Sequence, residues 1–251
     1  MTAYPLPANL LAIPGVQPLE LEVAEVGDLG PRFRRVLLTG ETLDSFAYKP
    51  GQDVMLVLGM TDGRPLSRRY TIRDHNPERK LIELNIVAHG VHGPGAHWAA
   101  NARPGDRVNG VGPRGKIFVN PDADWHVFLA DESGAPASLR MLESLPAGVP
   151  GEAYLEVTAP DDELPTTAGN GQRVHWIHRG EVPPTASDRL AEAISSATLP
   201  PGRGHVYIAG EVQLVAEIQR AALARGLAPE QLSPKAYWGR GRPNAARGEP
   251  D

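Results

Sequence analysis

The chain has 251 residues, 41% of them hydrophobic and 22% charged, with a formal net charge of −5. That is the make-up of an ordinary soluble globular protein, long enough for one large domain or two ordinary ones, and its acidity argues against nucleic acid as the main partner. There are no cysteines, which excludes disulfides, thiolate-bound zinc and a resident iron–sulfur cluster, and no run approaches the ~18 apolar residues that would span a bilayer.

Residues 1–17 have neither a basic leader nor a continuous apolar stretch, so they are expected to be a flexible end of a cytoplasmic chain. Strand-like runs follow at 19–29, 32–41, 52–60, 68–74, 80–90 and 106–117, separated by turns such as Lys49-Pro50-Gly51 and Asp62-Gly63. The run at 80–90 alternates Leu81, Glu83, Asn85 and Val87 against Ile82, Leu84, Ile86 and Ala88. Six such runs predict a small six-stranded antiparallel barrel over 18–120.

The character then changes. Trp125–Ala130 is apolar without alternation, as a buried parallel strand should be. Leu139, Leu142 and Leu145 have helical spacing ahead of Pro146. Strands at 152–158, 173–179, 205–210 and 234–240 alternate with helices at 187–197 and 211–226. This order predicts a parallel α/β domain over 121–242, joined to the barrel near 119–124, with 243–251 as a flexible tail. In such an arrangement ligands settle at the junction and at the carboxyl ends of the strands.

Three stretches carry chemistry. The first is Ser67–Asn76, "SRRYTIRDHN", where two arginines, a tyrosine and a threonine meet at a strand. Charges on a solvated edge strand would explain the arginines. A site gripping an anionic, planar ligand would explain the aromatic ring and the hydroxyl as well. The second stretch, "VAHGVHGPGAHWAANARPGD", reads as a glycine-rich turn into a helix whose free amides suit a diphosphate. Its histidines, His89, His92 and His97, do not have the spacing of a zinc signature, and no metal site is expected. The third is "VFLADESGAPASL", a small-residue turn into a helix after the first parallel strand, where Asp131 would also serve as an ordinary cap. There is no G-x-G-x-x-G fingerprint.

From about Leu21 to Arg242 the sequence resembles the siderophore-interacting protein family, flavin-dependent ferric-siderophore reductases related to ferredoxin–NADP reductases. The resemblance implies an N-terminal flavin-binding barrel followed by a nicotinamide-binding α/β domain. It maps the flavin-binding Arg-x-Tyr-Thr element onto Arg68, Tyr70 and Thr71, continuing through Ile72 and Arg73. An arginine forks onto phosphate, a tyrosine ring lies against the isoalloxazine, and threonine bonds the flavin edge. The His-Gly and Gly-Pro elements map onto Val87, His89, Gly90, Gly93, Pro94, Gly95, Ala96 and Trp98, with Pro104-Gly105-Asp106 downstream. Here the sequence departs from the family: Ala96 replaces the serine that often caps the turn, and Gly95 replaces an alanine. A nicotinamide element maps onto Asp131, Glu132, Pro136 and Ala137, with Ser133 for threonine. The family's Ala-Gly-Glu turn falls on Ala209, Gly210 and Glu211, and its aromatic ending on Ala236, Tyr237, Trp238 and Gly241.

The resemblance implies reduction of a ferric siderophore by NADPH or NADH through FAD. Hydride carries two electrons and Fe(III) accepts one, so with no cysteine for a cluster the flavin is the converter. No catalytic residue is expected to act on iron. An anionic chelate needs nearby positive charge, for which Arg114 and Lys116 are the candidates, then Lys49. Arg173 and Arg179 would suit the 2′-phosphate of NADPH, whereas Asp161 and Asp162 would favour NADH. Two other readings remain open: a flavin or ferredoxin-type reductase with another acceptor, and a non-enzymatic siderophore carrier. A monomer is the default.

Overall fold

The computed structural model describes residues 3–88 and 93–239, and the backbone alone of 242–247. The chain forms two compact units, divided between Lys116 and Ile117. Among the described residues, no helix is long and apolar enough to cross a membrane.

The first unit holds seven strands: β1 (Gln17–Asp28), β2 (Phe33–Thr39), β3 (Asp53–Thr61), β4 (Arg64–Thr71), β5 (Asp74–Asn76), β6 (Leu81–Val87) and β7 (Arg107–Arg114). They pair antiparallel in the order β4-β3-β7-β1-β2-β6-β5. The alternation legible in the sequence is used as expected. Leu19, Leu21 and Val23 of β1 are buried while Glu20 and Glu22 face out. Six strands were expected, and β5 is the seventh. It is three residues long, too short for a periodicity to show, and exists because Asp74, His75 and Asn76 pair with Glu83, Ile82 and Leu81.

Strands β4 and β5 are the two edges of the sheet, yet only Ile72 and Arg73 separate them in sequence. The sheet must therefore curl until its edges approach. At the seam the Ile72 N–H donates to the Gln52 carbonyl (3.0 Å) and the Arg73 N–H to that of Glu83 (2.8 Å). The enclosed core includes Leu19, Val36, Leu38, Leu56, Ile72, Ile82 and Leu84, with Trp98 from the helix α2 (Pro94–Asn101). The N-terminal segment is not the loose end expected. A short helix, α1 (Ala8–Leu11), packs Leu10 against Val57 and Val111, because those outward residues of β3 and β7 are themselves apolar. Helix α2 (Pro94–Asn101) lies between β6 and β7 in sequence.

The second unit is a parallel sheet in the order β10-β9-β8-β11-β12, extended by an antiparallel β13. Its strands are β8 (Trp125–Ala130), β9 (Gly151–Val157), β10 (Gln172–His178), β11 (Gly204–Glu211), β12 (Leu232–Gly239) and β13 (Arg242–Arg247). The backbone of β13 runs through residues expected to be a tail, because it pairs along β12. Helices α3 (Ala135–Glu143), α4 (Arg189–Ser196) and α5 (Val212–Ala224) connect and cover the strands. All six residues of β8 are buried, as the unbroken apolar run predicts.

One buried network on this sheet is polar. His126 on β8 and Tyr207 on β11 stack at 6.0 Å, with Nδ1 of His126 3.3 Å from the tyrosine hydroxyl. His205 Nε2 meets Ser233 Oγ at 2.9 Å. Burial, with His205 adding to it, pushes His126 down to about 4, and burial lowers His205 as well. The unfolded chain therefore binds a proton between about pH 6.5 and 4 that folded His126 refuses, so stability falls as pH falls through that window. His126→Phe should remove that part of the slope. Urea unfolding at pH 7 and pH 4.5 should show wild type losing up to about 3 kcal/mol more than the variant; equal losses would refute the assignment.

Candidate functional site

Strand β4 explains the first stretch of interest. Pro65 to Thr71 are all half-buried, so neither face is simply core or simply solvent. The two arginines part company. Arg69 is occupied: it forks onto the buried Asp53 of β3, with Nη2–Oδ2 at 2.6 Å and Nε 3.2 Å from both oxygens. Arg68 donates Nη1–H to the Ser67 carbonyl (2.8 Å) and has no carboxylate partner among the described residues. Adjacent strand residues point to opposite faces, and only Arg68 is left to take an anion.

Helix α2 comes to meet it. Gly93 precedes the helix with φ +89°, a conformation that favours glycine, and Pro94 occupies the first turn. No side chain caps the helix. The first described helical bond runs from His97 N–H to the Gly93 carbonyl (3.0 Å), and the amides of a first turn have no carbonyl partner within their own helix; Gly95 is buried and Ala96 half-buried. Trp98 anchors the helix in the core, its ring 6.2 Å from that of Tyr70. Arg34 holds the other end by donating Nε–H to the Ala99 carbonyl (3.0 Å). A Cβ on Gly95 would stand 2.6 Å from the Tyr70 hydroxyl and 3.2 Å from Arg68 Cγ. Arg68, Tyr70 and the mouth of α2 thus converge. A guanidinium with no carboxylate partner among the described residues, beside the first-turn amides of a helix, suits the pyrophosphate of a flavin dinucleotide.

Other expected residues fall differently. Thr71 ends β4 half-buried, opposite Asp53. Ile72 is fully buried, with its amide bonded at the seam, so its side chain belongs to the core rather than to a ligand surface. Arg73 is buried too. Val87 ends β6 opposite Phe33. His97 is exposed on α2, while His89, Gly90, His92 and Gly241 lie outside the described residues.

The basic candidates are gathered by a residue that sequence reasoning missed. Gln52 Oε1 accepts from the Lys49 amide (2.8 Å), its Nε2 donates to the Gly115 carbonyl (3.3 Å), and its own carbonyl takes the Ile72 amide. It ties the Lys49 turn to the Arg114–Lys116 loop. Register agrees, because Asp53 stands between Thr71 and Arg114 on neighbouring strands. Two strand spacings put Arg114 about 10 Å from Thr71. A glutamine after a Pro-Gly turn carries no pattern that would have marked it.

In the second unit, the nicotinamide candidates turn inward. Asp131 is fully buried and accepts from Ser133 N–H (2.8 Å), Ser133 Oγ–H (2.6 Å), Gly134 N–H (3.3 Å), Glu211 N–H (2.9 Å) and Trp238 Nε1–H (3.0 Å). It staples the carboxyl ends of β8, β11 and β12. Burial, then the neighbouring Glu132, raises its pKa against these donors. Gly210 is required there: it has φ +148°, and a Cβ would lie 2.7 Å from the Asp131 carboxyl carbon. Glu132 is buried in an ion pair with Arg179, while Ser187 donates to buried Glu156. Glu211 caps α5 by accepting from the Gln213 and Leu214 amides. Pro136 and Ala137 are buried in α3, whose Gly134 and Ala135 amides already bond the Asp131 carbonyl. Asp131, Glu132 and Glu211 are therefore engaged by internal partners at the strand ends. Arg179 is likewise engaged, and Arg173 lies at the opposite, amino-terminal side of β10, in register with Glu152. Tyr237 and Trp238 are half-buried at the carboxyl end of β12, with Lys235 5.5 Å from the Tyr237 ring centre.

Residues 123–241 match the siderophore-interacting protein family, and residues 56–117 match the siderophore-interacting FAD-binding domain. The chain belongs to the siderophore-interacting protein family. It is 38% identical to an uncharacterized protein of Mycobacterium tuberculosis over 211 residues, 80% of this chain and 71% of that one. It is 29% identical over 242 residues to an NADPH-dependent ferric-chelate reductase of Escherichia coli (87% and 92% covered). A siderophore utilization protein from T. fusca shares its structure with a TM-score of 0.81 at 32% identity, covering 91% of this chain and 95% of that one. The FAD-binding match takes in both β4 and α2, the two elements that form the cradle.

The two arginines of this family member should separate cleanly by mutation. Arg68→Ala should weaken FAD binding by about 1.5–3 kcal/mol, the worth of a charge-assisted hydrogen bond, with little change in melting temperature. Arg69→Ala should instead lower the melting temperature, because it removes the forked ion pair to the buried Asp53 carboxylate. Flavin titration alongside thermal melts would expose an error if the two phenotypes were exchanged.

Proposed function

We propose that this protein is a cytoplasmic, monomeric ferric-siderophore reductase that uses FAD and a nicotinamide cofactor, NADH or NADPH. The observation that supports the reading is the convergence of Arg68, Tyr70 and the first turn of α2 within the FAD-binding match. A carrier that had lost its cofactor would have no need to keep such a cradle open.

Bound FAD would convert the two electrons of a hydride into single-electron transfers. Each hydride then reduces two ferric ions, giving the oxidised nicotinamide, two ferrous ions and a proton. Ferrous iron is held less firmly by the hard oxygen donors of a siderophore, and is released. The side chains have supporting parts. Arg68 and the Gly95 and Ala96 amides fix the pyrophosphate, and Thr71 stands at the edge of the same surface. Half-buried Tyr237 and Trp238 offer aromatic faces at the carboxyl end of β12, where an α/β sheet takes its dinucleotide. Their orientation depends on Asp131, which holds the Trp238 indole N–H.

Lys49, Arg114 and Lys116, kept together by Gln52, supply positive charge about two strands from Thr71. An anionic ferric chelate would be drawn to that patch, and the attraction would be screened over a Debye length of about 8 Å at physiological salt. Replacing Arg114 and Lys116 by alanine should slow reduction of anionic ferric chelates and flatten its salt dependence. Flavin reduction by NADH or NADPH without iron should be nearly unchanged. Equal losses in both half-reactions would mean that these side chains support the fold; failure of wild type to reduce any ferric chelate would remove the activity itself.

A further inference from the structure

The chain holds two Asn-Gly pairs, Asn109-Gly110 and Asn170-Gly171. In such a pair the glycine has no Cβ to keep its backbone nitrogen away from the neighbouring carboxamide. The fold treats the two pairs in opposite ways.

Asn109 and Gly110 lie within β7, between β1 and β3. Asn109 stands opposite Glu20 and Val57, and Gly110 opposite Leu19 and Leu56. Gly110 is buried, and a Cβ there would lie 2.7 Å from the Met55 carbonyl oxygen. The Asn109 side chain donates Nδ2–H to the Tyr4 carbonyl (2.9 Å). An extended strand paired on both sides cannot fold its glycine nitrogen back onto that side chain.

Asn170 and Gly171 form the tip of the turn into β10. The Gln172 N–H donates to the Gly169 carbonyl (3.2 Å), with φ +51° at Asn170 and +100° at Gly171, the two positive values of a type I′ turn. Both residues are exposed. The turn is held by its neighbours. The Gln172 side chain accepts from the Gly169 N–H (3.3 Å) and donates to the Leu145 carbonyl (3.2 Å), and the Gly148 N–H donates to the Asn170 carbonyl (3.1 Å). Among the described residues, no hydrogen bond engages the Asn170 carboxamide or the Gly171 N–H. Nucleophile and electrophile are adjacent, unengaged and open to water.

We propose that Asn170 is a site of spontaneous modification in the folded protein, converting to aspartate and isoaspartate while Asn109 stays intact. The Gly171 nitrogen loses its proton and bonds to Asn170 Cγ; the Cγ–Nδ2 bond breaks, and ammonia leaves with a proton from water. Water then opens the succinimide. Opening at Cγ leaves aspartate, and opening at the main-chain carbonyl carbon leaves isoaspartate. The isoaspartyl product runs the main chain through Cβ and Cγ. It also turns the carbonyl that receives the Gly148 N–H into a free carboxylate, so the link between that loop and β10 loosens.

The test keeps the full chain in warm, mildly alkaline buffer, with samples digested by trypsin and mapped by mass spectrometry. Asn170 is the only asparagine of peptide 141–173, and Asn109 the only one of peptide 108–114. In folded protein, peptide 141–173 should take on the mass of an amide-to-acid exchange and split into two products. It should do so at least about a hundredfold faster than peptide 108–114, because a turn tip opens at almost no free-energy cost whereas β7 must leave the sheet. In urea the two peptides should convert at comparable rates. Asn170→Gly, which keeps a residue suited to positive φ, should abolish the change in peptide 141–173; a change that persisted would belong to Gln172 and overturn the proposal. So would folded protein in which peptide 141–173 stays intact although urea-unfolded chain converts, or in which both peptides convert at equal rates.

Discussion

The candidate flavin site depends on how the seven-stranded sheet closes. Its edges, β4 and β5, are joined by only Ile72 and Arg73, which span roughly 10 Å at full extension. That tether forces the sheet to curl, and two backbone hydrogen bonds, to Gln52 and Glu83, fix where the edges meet. The residues just before the seam, Arg68 to Thr71, are consequently half-buried between core and surface. On an open sheet the same residues would be an ordinary charged edge strand. Closure sets them beside α2, with Arg68 and Tyr70 against Gly95.

Gln52 shows how the seam reaches further. Its carbonyl takes the Ile72 amide, while its side chain bonds the Lys49 turn and the Gly115 loop. One residue thus joins the closure of the sheet to the placement of the basic loops. Neutral amides suit this work, since neither hydrogen bond brings a further charge to compete with the positive patch.

In the second unit the organising groups are buried charges. Asp131 collects donors from three chain segments, and the ion pair of Glu132 with Arg179 joins the ends of β8 and β10. Buried pairs of this kind fix geometry more than they add net stability, because desolvation offsets most of their attraction. Arg179 is committed internally, whereas Asp161, Arg189 and the His178–Glu163 pair (2.8 Å) lie nearer the surface around the same strand ends.

The local periodicities decided most of the architecture before any tertiary contact was known. Alternation over β1 and β6, the unbroken apolar run of β8 and the helical spacing of Leu139 and Leu142 each specify an element within its own segment. The absence of cysteine likewise excludes a thiolate-held iron–sulfur cluster. Other matters are not local. β5 is invisible because three residues have no period, and it is defined only by its partner β6. Arg68 and Arg69 are the same residue type one position apart, and only the place of Asp53 on β3 makes Arg69 the one that is paired with a buried carboxylate. Asp131, Glu132 and Glu211 sit in stretches that resemble a nicotinamide site, but their carboxylates answer to amides, an indole and an arginine brought from distant segments. Gly95 looks like any turn glycine until Tyr70 is seen above it. A sequence determines which groups a chain carries and which faces they share. Whether a polar group meets a ligand or an internal partner is decided by contacts between segments far apart in the chain, and only the folded structure contains those.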